Sequence, residues 1–213
     1  MHILVTAGPT REFLDPVRFL SNRSTGKMGY ALAVAAHTRG HTVRLISGPV
    51  ALAQPEGVLC LPVISAADML QAVLENLAWA DVLIMAAAVA DWRPRMIAMQ
   101  KLKKASMSDT LRLERTQDIL VAVQARRRAD QYIVGFAAET DSVESAAREK
   151  LLRKGLDLMV ANDVSRTDAG FGVDTNIVTL LARDREDVAL PLLSKQEVAE
   201  HILARMEADC GAG

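Results

Sequence analysis

Short apolar runs alternate with amphipathic stretches along almost the whole chain. His2-Ile3-Leu4-Val5-Thr6, Val43-Arg44-Leu45-Ile46-Ser47, Val58-Leu59-Cys60-Leu61 and Val82-Leu83-Ile84-Met85 read as strands. So do Tyr132-Ile133-Val134-Gly135-Phe136, Leu158-Met159-Val160-Ala161 and Asn176-Ile177-Val178-Thr179-Leu180-Leu181. The 82–85 run is apolar on both faces, as a strand buried within a parallel sheet is. Helical patterns fill the intervals: one with its body at 30–36, one from Ser65 to about 78, one over about 143–154, and a last one after Ser194. Ser65 with Asp68, and Ser194 with Glu197, have the spacing of capping boxes. Strand–helix alternation predicts an α/β fold, a doubly wound and mostly parallel Rossmann-like sheet, in one domain over 1–213. The end at about 208–213 is expected to be disordered.

Two segments break the alternation. Between the first strand and the first helix body lie about twenty residues, far more than such a connection needs, and loops of that length usually serve a ligand. This one holds glycines, hydroxyls, an amide and cations, the inventory for binding a phosphorylated, acidic molecule at a helix N-terminus. A Walker A loop does not fit: Gly26-Lys27 is present, but Ser21 and Met28 stand where a glycine and a hydroxyl are required. A Gly-x-Gly-x-x-Gly fingerprint does not fit either, because Gly8 is followed by Pro9 and Thr10. The second departure is 93–117. There Thr110-Leu111-Arg112-Leu113-Glu114-Arg115 alternates apolar and charged, which predicts a two-stranded arm or flap. Such a ribbon is marginal alone and is expected to pack on a second subunit.

Composition narrows the class. Half of the 213 residues are hydrophobic but only 4% are aromatic, so an aliphatic core is expected. A net charge of −1 argues against a nucleic-acid partner. Cys60 and Cys210 lack metal-ligand or disulfide-framework spacing, and the longest apolar stretch, 82–90, is far short of a membrane span. A soluble, cytoplasmic protein is the expectation. None of His2, His37, His41 and His201 lies in the suspected site loops, which disfavours histidine-based catalysis and leaves positioning and charge stabilisation.

Ligands of open α/β sheets bind beyond the carboxyl ends of the strands. After 82–85 come the small residues Ala86, Ala87 and Ala88, then Asp91, a ribose or metal–phosphate ligand or simply a surface carboxylate. Phe136 either flanks a base or ends a buried strand; Asn162-Asp163-Val164-Ser165 is turn chemistry or, less favoured, a ligand edge. Cations group at Lys101, Lys103 and Lys104, and at Lys150, Arg153 and Lys154; both groups suit a triphosphate. Arg126-Arg127-Arg128 reads as a solvated helix end.

Five blocks in order carry a resemblance: LVTAGPTREFLDPVRFLSNRSTGKMG (4–29), AAAVADWRP (86–94), KLKK (101–104), IVGFAAET (133–140) and DLMVANDVS (157–165). Over nearly its whole length the chain resembles the bacterial phosphopantothenate–cysteine ligases (phosphopantothenoylcysteine synthetases). The resemblance implies activation of the 4′-phosphopantothenate carboxylate by CTP, an acyl-cytidylate, and attack by L-cysteine, with CMP and pyrophosphate released, as a step of coenzyme A biosynthesis. It implies Asn22 and Lys101 as catalytic residues and Arg18, Asn22 and Ala88 as substrate contacts. The implied nucleotide contacts are Ser24, Gly26, Lys27, Met85, Ala86, Ala87, Asp91, Lys101, Gln117, Asp118, Ile119, Leu120, Phe136, Lys150 and Lys154. Mg²⁺ is expected to travel with the triphosphate, its protein ligands unknown. The resemblance further implies a homodimer. The family's fused decarboxylase half is expected to be absent, with no flavin bound and a separate decarboxylase as a possible partner. Gln117 stands where many relatives have proline, which leaves ATP open as an alternative nucleotide. The rival readings are a non-catalytic nucleotide-binding or assembly protein, if the polar groups only bind, and a nicotinamide-dependent oxidoreductase, which would share the sheet but lacks the glycine fingerprint.

Overall fold

The computed structural model describes residues 1–103, 109–139, 143–163, 170, 172–183 and 185–211. Lys104, Thr140, Val164, Ser165, Ala212 and Gly213, named above, lie outside the described residues. Five helices and the strands of one large sheet make up the body. In chain order these are β1 (His2–Ala7), β2 (Arg11–Phe13), β3 (Phe19–Ser21), α1 (Lys27–Thr38), β4 (Thr42–Ser47), β5 (Leu59–Pro62), α2 (Ala66–Leu77), β6 (Val82–Met85), β7 (Trp92–Pro94) and β8 (Leu113–Arg115). Then follow α3 (Ile119–Gln124), β9 (Tyr132–Glu139), α4 (Val143–Arg153), β10 (Leu158–Asp163), β11 (Thr175–Asn176), β12 (Val178–Ala182), β13 (Val188–Ala189), β14 (Leu193–Ser194) and α5 (Lys195–Cys210).

The large sheet has the order β13-β12-β10-β9-β6-β1-β4-β5. Its strands from β10 through β5 run parallel, and β12 and β13 add an antiparallel edge. This is the mostly parallel, doubly wound sheet that strand–helix alternation predicts. Alternate side chains of each strand enter opposite layers. Ile3, Val5 and Ile84 pack with Leu32 of α1 and Ile202 and Leu203 of α5. Leu4, Leu83 and Ile133 pack with Met69 of α2, Val123 of α3 and Leu151 of α4. Every residue of β6 is buried, as a strand covered on both faces must be. Ser65 and Ser194 form complete capping boxes with Asp68 and Glu197, fixing the starts of α2 and α5.

Four expectations need correction. The long 7–29 connection contains a hairpin, β2 with β3, closed at a turn where the Asp15 carboxylate accepts from the N–H groups of Val17 and Arg18, each at 2.8 Å. The 176–181 run is not one strand. β11 leaves the large sheet to pair with β14, and Asn176 turns inward to accept from the Gly170 N–H at 3.1 Å. Arg127 is no solvated helix end: its guanidinium donates to Gly155 O at 3.0 Å and to Asp157 at 2.9 Å, stapling the end of α3 to the start of β10. Last, α5 stays helical through Cys210, three residues into the end segment expected to lack structure. Among the described residues no helix is long and apolar enough to cross a membrane.

The arm expected at 93–117 is present as the antiparallel pair β7 and β8, in register Trp92 with Arg115. A clasp ties it to the hairpin. Asp15, whose side chain is 0% exposed, accepts from the Leu102 N–H at 3.2 Å, and Arg18 donates to Leu102 O at 2.9 Å. The Arg18 guanidinium, with these N–H donors, holds the Asp15 carboxyl far below the usual carboxylate range against the effect of burial.

Candidate functional site

The sheet order places a topological switch between β1 and β6: from β1 the chain goes outward through β4 and β5, and from β6 through β9 and β10. Ligands of open α/β sheets sit at such a point, beyond the carboxyl ends of the strands. A cleft of 750 Å³ opens there, lined by the connection between β1 and α1, the end of β6 with the turn after it, and residues near the carboxyl ends of β9 and β10. That volume lies in the range of small-molecule sites.

Its floor is built by zippering the turns after β1 and β6. Pro9 and Ala88 bridge in parallel, Ala88 N–H donates to Gly8 O at 2.9 Å, and Ala90 N–H donates to Thr10 Oγ1 at 2.9 Å. Thr116 Oγ1 donates to Ala90 O at 2.7 Å, which draws the base of the arm to the same edge. Asn22 joins the two turns: its Nδ2 donates to Ala88 O at 3.0 Å and Val89 O at 3.2 Å. Both partners are carbonyls, so the amide nitrogen must face them. An oxyanion role for this amide therefore requires that one of these bonds be surrendered when the ligand arrives.

One wall is the start of α1. Gly26 is its N-cap at φ 80°, a left-handed conformation that glycine takes without strain, and its side would press a Cβ to 2.7 Å from Val50 Cγ1. No side chain among the described residues caps α1, and its first turn holds no acid. Its leading N–H groups thus face the cleft with the positive end of the helix dipole. Gly29 lets the helix sit against β1; a Cβ there would lie 2.5 Å from Ala7 Cβ.

Charge is concentrated here although the whole chain carries −1. Lys27, Arg115, Lys150, Lys154 and Lys195 line the cleft against Asp91 and Asp118. Asp118 caps α3 through the Val121 N–H at 3.1 Å and pairs with the Lys154 ammonium. Burial opposes the charged form of Asp118, but Lys154 and the N–H groups of Val121 and Leu120 together keep its pKa below the ordinary value. Lys150 and the Asp91 carboxylate make no hydrogen bond or ion pair among the described residues and remain available to a ligand. Lys27 reaches Asp174 at 2.6 Å on the rim.

The structure gathers most of the residues singled out from the sequence. Asn22, Ser24, Gly26, Lys27, Met85, Ala86, Ala87, Ala88, Asp91, Gln117, Asp118, Ile119, Leu120, Phe136, Lys150 and Lys154 all line the cleft. Arg18 and Lys101 do not. Arg18 is spent on Asp15 and Leu102 O, and Lys101 stands exposed on the arm beside that clasp. Of the two lysine groups proposed for a triphosphate, Lys150 and Lys154 line the cleft, whereas Lys101 and Lys103 do not. Asn162 belongs to β10, not to a turn; it lines the cleft, and its Oδ1 is buried with no partner among the described residues. Sequence reading missed Lys195, whose side chain is buried and donates to Gly170 O at 2.9 Å and to Val173 O. A lysine in the first turn of a capped helix, where the dipole disfavours a cation, was the available signal.

Fold and cleft together define the class: a doubly wound α/β protein with a cation-lined cleft at its topological switch point. The chain belongs to the family described as the DNA/pantothenate metabolism flavoprotein C-terminal domain, which matches residues 1–209. It is 52% identical over 208 residues to the coenzyme A biosynthesis bifunctional protein CoaBC of Bacillus subtilis, covering 97% of this chain and 51% of that protein. It is 48% identical over 206 residues to the CoaBC protein of Vibrio parahaemolyticus, covering 96% and 51%. The crystal structure of the C-terminal domain of a CoaBC protein superposes with a TM-score of 0.85 at 44% identity, covering 100% of this chain and 96% of that one. The chain spans about half the length of the curated relatives it matches.

Proposed function

We propose that the chain ligates 4′-phosphopantothenate to L-cysteine at the expense of CTP, as a step of coenzyme A biosynthesis. The observation that carries this reading is the convergence of Asn22, the uncapped start of α1 and the cations Lys27, Lys150 and Lys154 on one cleft. Relatives named for coenzyme A biosynthesis support it. The substrate carboxylate oxygen attacks the α-phosphorus, and the bond to pyrophosphate breaks. The cysteine amine then attacks the acyl carbon; the C–N bond forms, CMP leaves, and the nitrogen sheds a proton to solvent. The chain's part is to position and neutralise charge. In this reading Asn22, tied to Ala88 O and Val89 O beside the cleft, is the residue that handles the acyl group.

Mg²⁺ fits the donor set: Asp91 offers a carboxylate without a partner among the described residues, and phosphates and water complete such a site. The metal supplies charge neutralisation of the triphosphate. A homodimer is supported by the apolar side chains the arm and hairpin leave bare: Met96 is 84% and Met99 91% exposed, with Val17, Phe19 and Ile97 also exposed. We assign the work of this enzyme to the cytoplasm. ATP remains the second reading for the nucleotide, because Gln117 at the cleft edge lacks the backbone restraint of a proline.

The test mixes 4′-phosphopantothenate, cysteine and each of four nucleoside triphosphates, with ¹⁸O in the substrate carboxylate. One label in CMP together with pyrophosphate is the expected result. CDP with labelled phosphate would replace the acyl-cytidylate by an acyl phosphate, and no product with any nucleotide would leave a binding protein. Light scattering at micromolar concentration tests the dimer; a monomer mass would overturn it.

A further inference from the structure

Lys27 opens α1 at the cleft wall, and its ammonium is held by the Asp174 carboxylate at 2.6 Å. The partners differ in their ties. Lys27 is 33% exposed, while Asp174 is 84% exposed and has no other side-chain partner among the described residues. Asp174 itself is not part of the cleft lining; it reaches in from the rim. Its backbone is anchored. Lys195 N–H donates to Asp174 O at 2.9 Å, and the buried Lys195 ammonium grips Gly170 O and Val173 O. The Asp174 side chain can therefore swing into water while its backbone stays in place.

The chemistry around this pair suits an anion. The leading N–H groups of α1, the Lys27 ammonium and the Lys195 ammonium lie together, and one exposed carboxylate offsets them. Lys27 lowers the Lys195 pKa further after burial has done so, and Asp174 opposes both, so the three groups sense one another. An exposed ion pair is weak, whereas a polyphosphate brings several charges and can also accept from the helix N-terminus. We propose that Asp174 is a built-in counter-ion of the phosphate subsite, a carboxylate that pairs with Lys27 and competes for it with an entering polyphosphate. The proposal rests on the nucleotide-ligase reading. It assigns Asp174 a role in setting how tightly nucleotide is held and how readily pyrophosphate leaves, and makes Lys195 a positioning residue.

The probe is inorganic pyrophosphate, titrated calorimetrically into the full chain. Asp174→Asn should tighten its binding by about 1.4- to 5-fold, the range an exposed ion pair spans. Asp174→Glu, which keeps the charge, should bind as the wild type does. Lys27→Met should weaken binding, and adding Asp174→Asn to it should recover little, because the gain passes through Lys27. Unchanged or weaker binding by Asp174→Asn would overturn the proposal, as would an equal gain in the Lys27→Met background. If the wild type binds no pyrophosphate, the proposal and the ligase reading fall together. If the binding pattern holds but no ligation is found, only the ligase reading falls.

Discussion

Gly29 gives the sharpest link between packing and the site. Its backbone is helical, so Gly29→Ala meets no φ/ψ obstacle, and in an open helix alanine would stabilise by about 0.5–1 kcal/mol. Space decides otherwise. The added Cβ would lie 2.5 Å from Ala7 Cβ, 2.9 Å from Thr6 O and 3.0 Å from Ala7 Cα. Carbon atoms rest at about 3.5–4.0 Å, so the first turn of α1 must retreat from β1 by roughly 1 Å. Two of the three obstructing atoms are backbone of the buried end of β1 and cannot turn aside. Overpacking of this kind costs about 1–3 kcal/mol, which exceeds the propensity gain and leaves a net loss of about 0–2.5 kcal/mol. For a domain of this size each kcal/mol lowers Tm by about 2–4 °C. The functional loss should be larger, since the retreat carries the helix N-terminus and Lys27 away from the cleft, and a 1 Å misplacement can cost about a hundred-fold. Thermal melts and nucleotide-dependent pyrophosphate release measure the two effects. A variant that melts at or above the wild type with unchanged nucleotide KM would refute the close approach of α1 to β1 and the role of its first turn.

Other outcomes follow from single side chains. Asn22→Ala should fail mainly at the cysteine step, seen as pyrophosphate release without cysteine or as trapped acyl-nucleotide; normal turnover would return Asn22 to a loop strut between Ala88 and Val89. Lys101→Gln should cut kcat/KM by at least about ten-fold if the arm delivers this cation to a triphosphate, in its own cleft or a partner's; wild-type kinetics would mark it as a solvated lysine. Glu207 is held at about 2, first by the Arg39 guanidinium and then by His41, against the effect of burial. A depressed folded-state pKa means stability that is complete above the ordinary value of 4.5 and lost as pH falls through about 2. The Tm difference between wild type and Glu207→Gln should therefore shrink over that window, and a constant difference would show that the carboxylate's charge contributes nothing.

Period and punctuation along the chain were enough to place most elements. β1, β4, β6, β9 and β10 are short and mainly apolar, β6 throughout as a strand covered on both faces must be, and Ser65 and Ser194 mark helix starts by purely local hydrogen bonding. The density of glycine, hydroxyl and cation between β1 and α1 likewise exposed a ligand loop without any tertiary information. The hairpin inside that loop escaped, although Asp15-Pro16 between Phe13 and Phe19 is a turn signal, because three-residue strands carry almost no periodicity. What local pattern cannot supply is convergence. The cleft exists because β1 and β6 are neighbours in the sheet, which is set by long-range pairing and by which faces each helix covers. Arg18 and Lys101 carry the charge expected of site residues, but tertiary contacts commit one to Asp15 and leave the other on the arm. Lys195 and Asp174 come to Lys27 from the far end of the chain only because α5 packs beside α1, and burial and pairing between such distant residues arise in the folded chain alone.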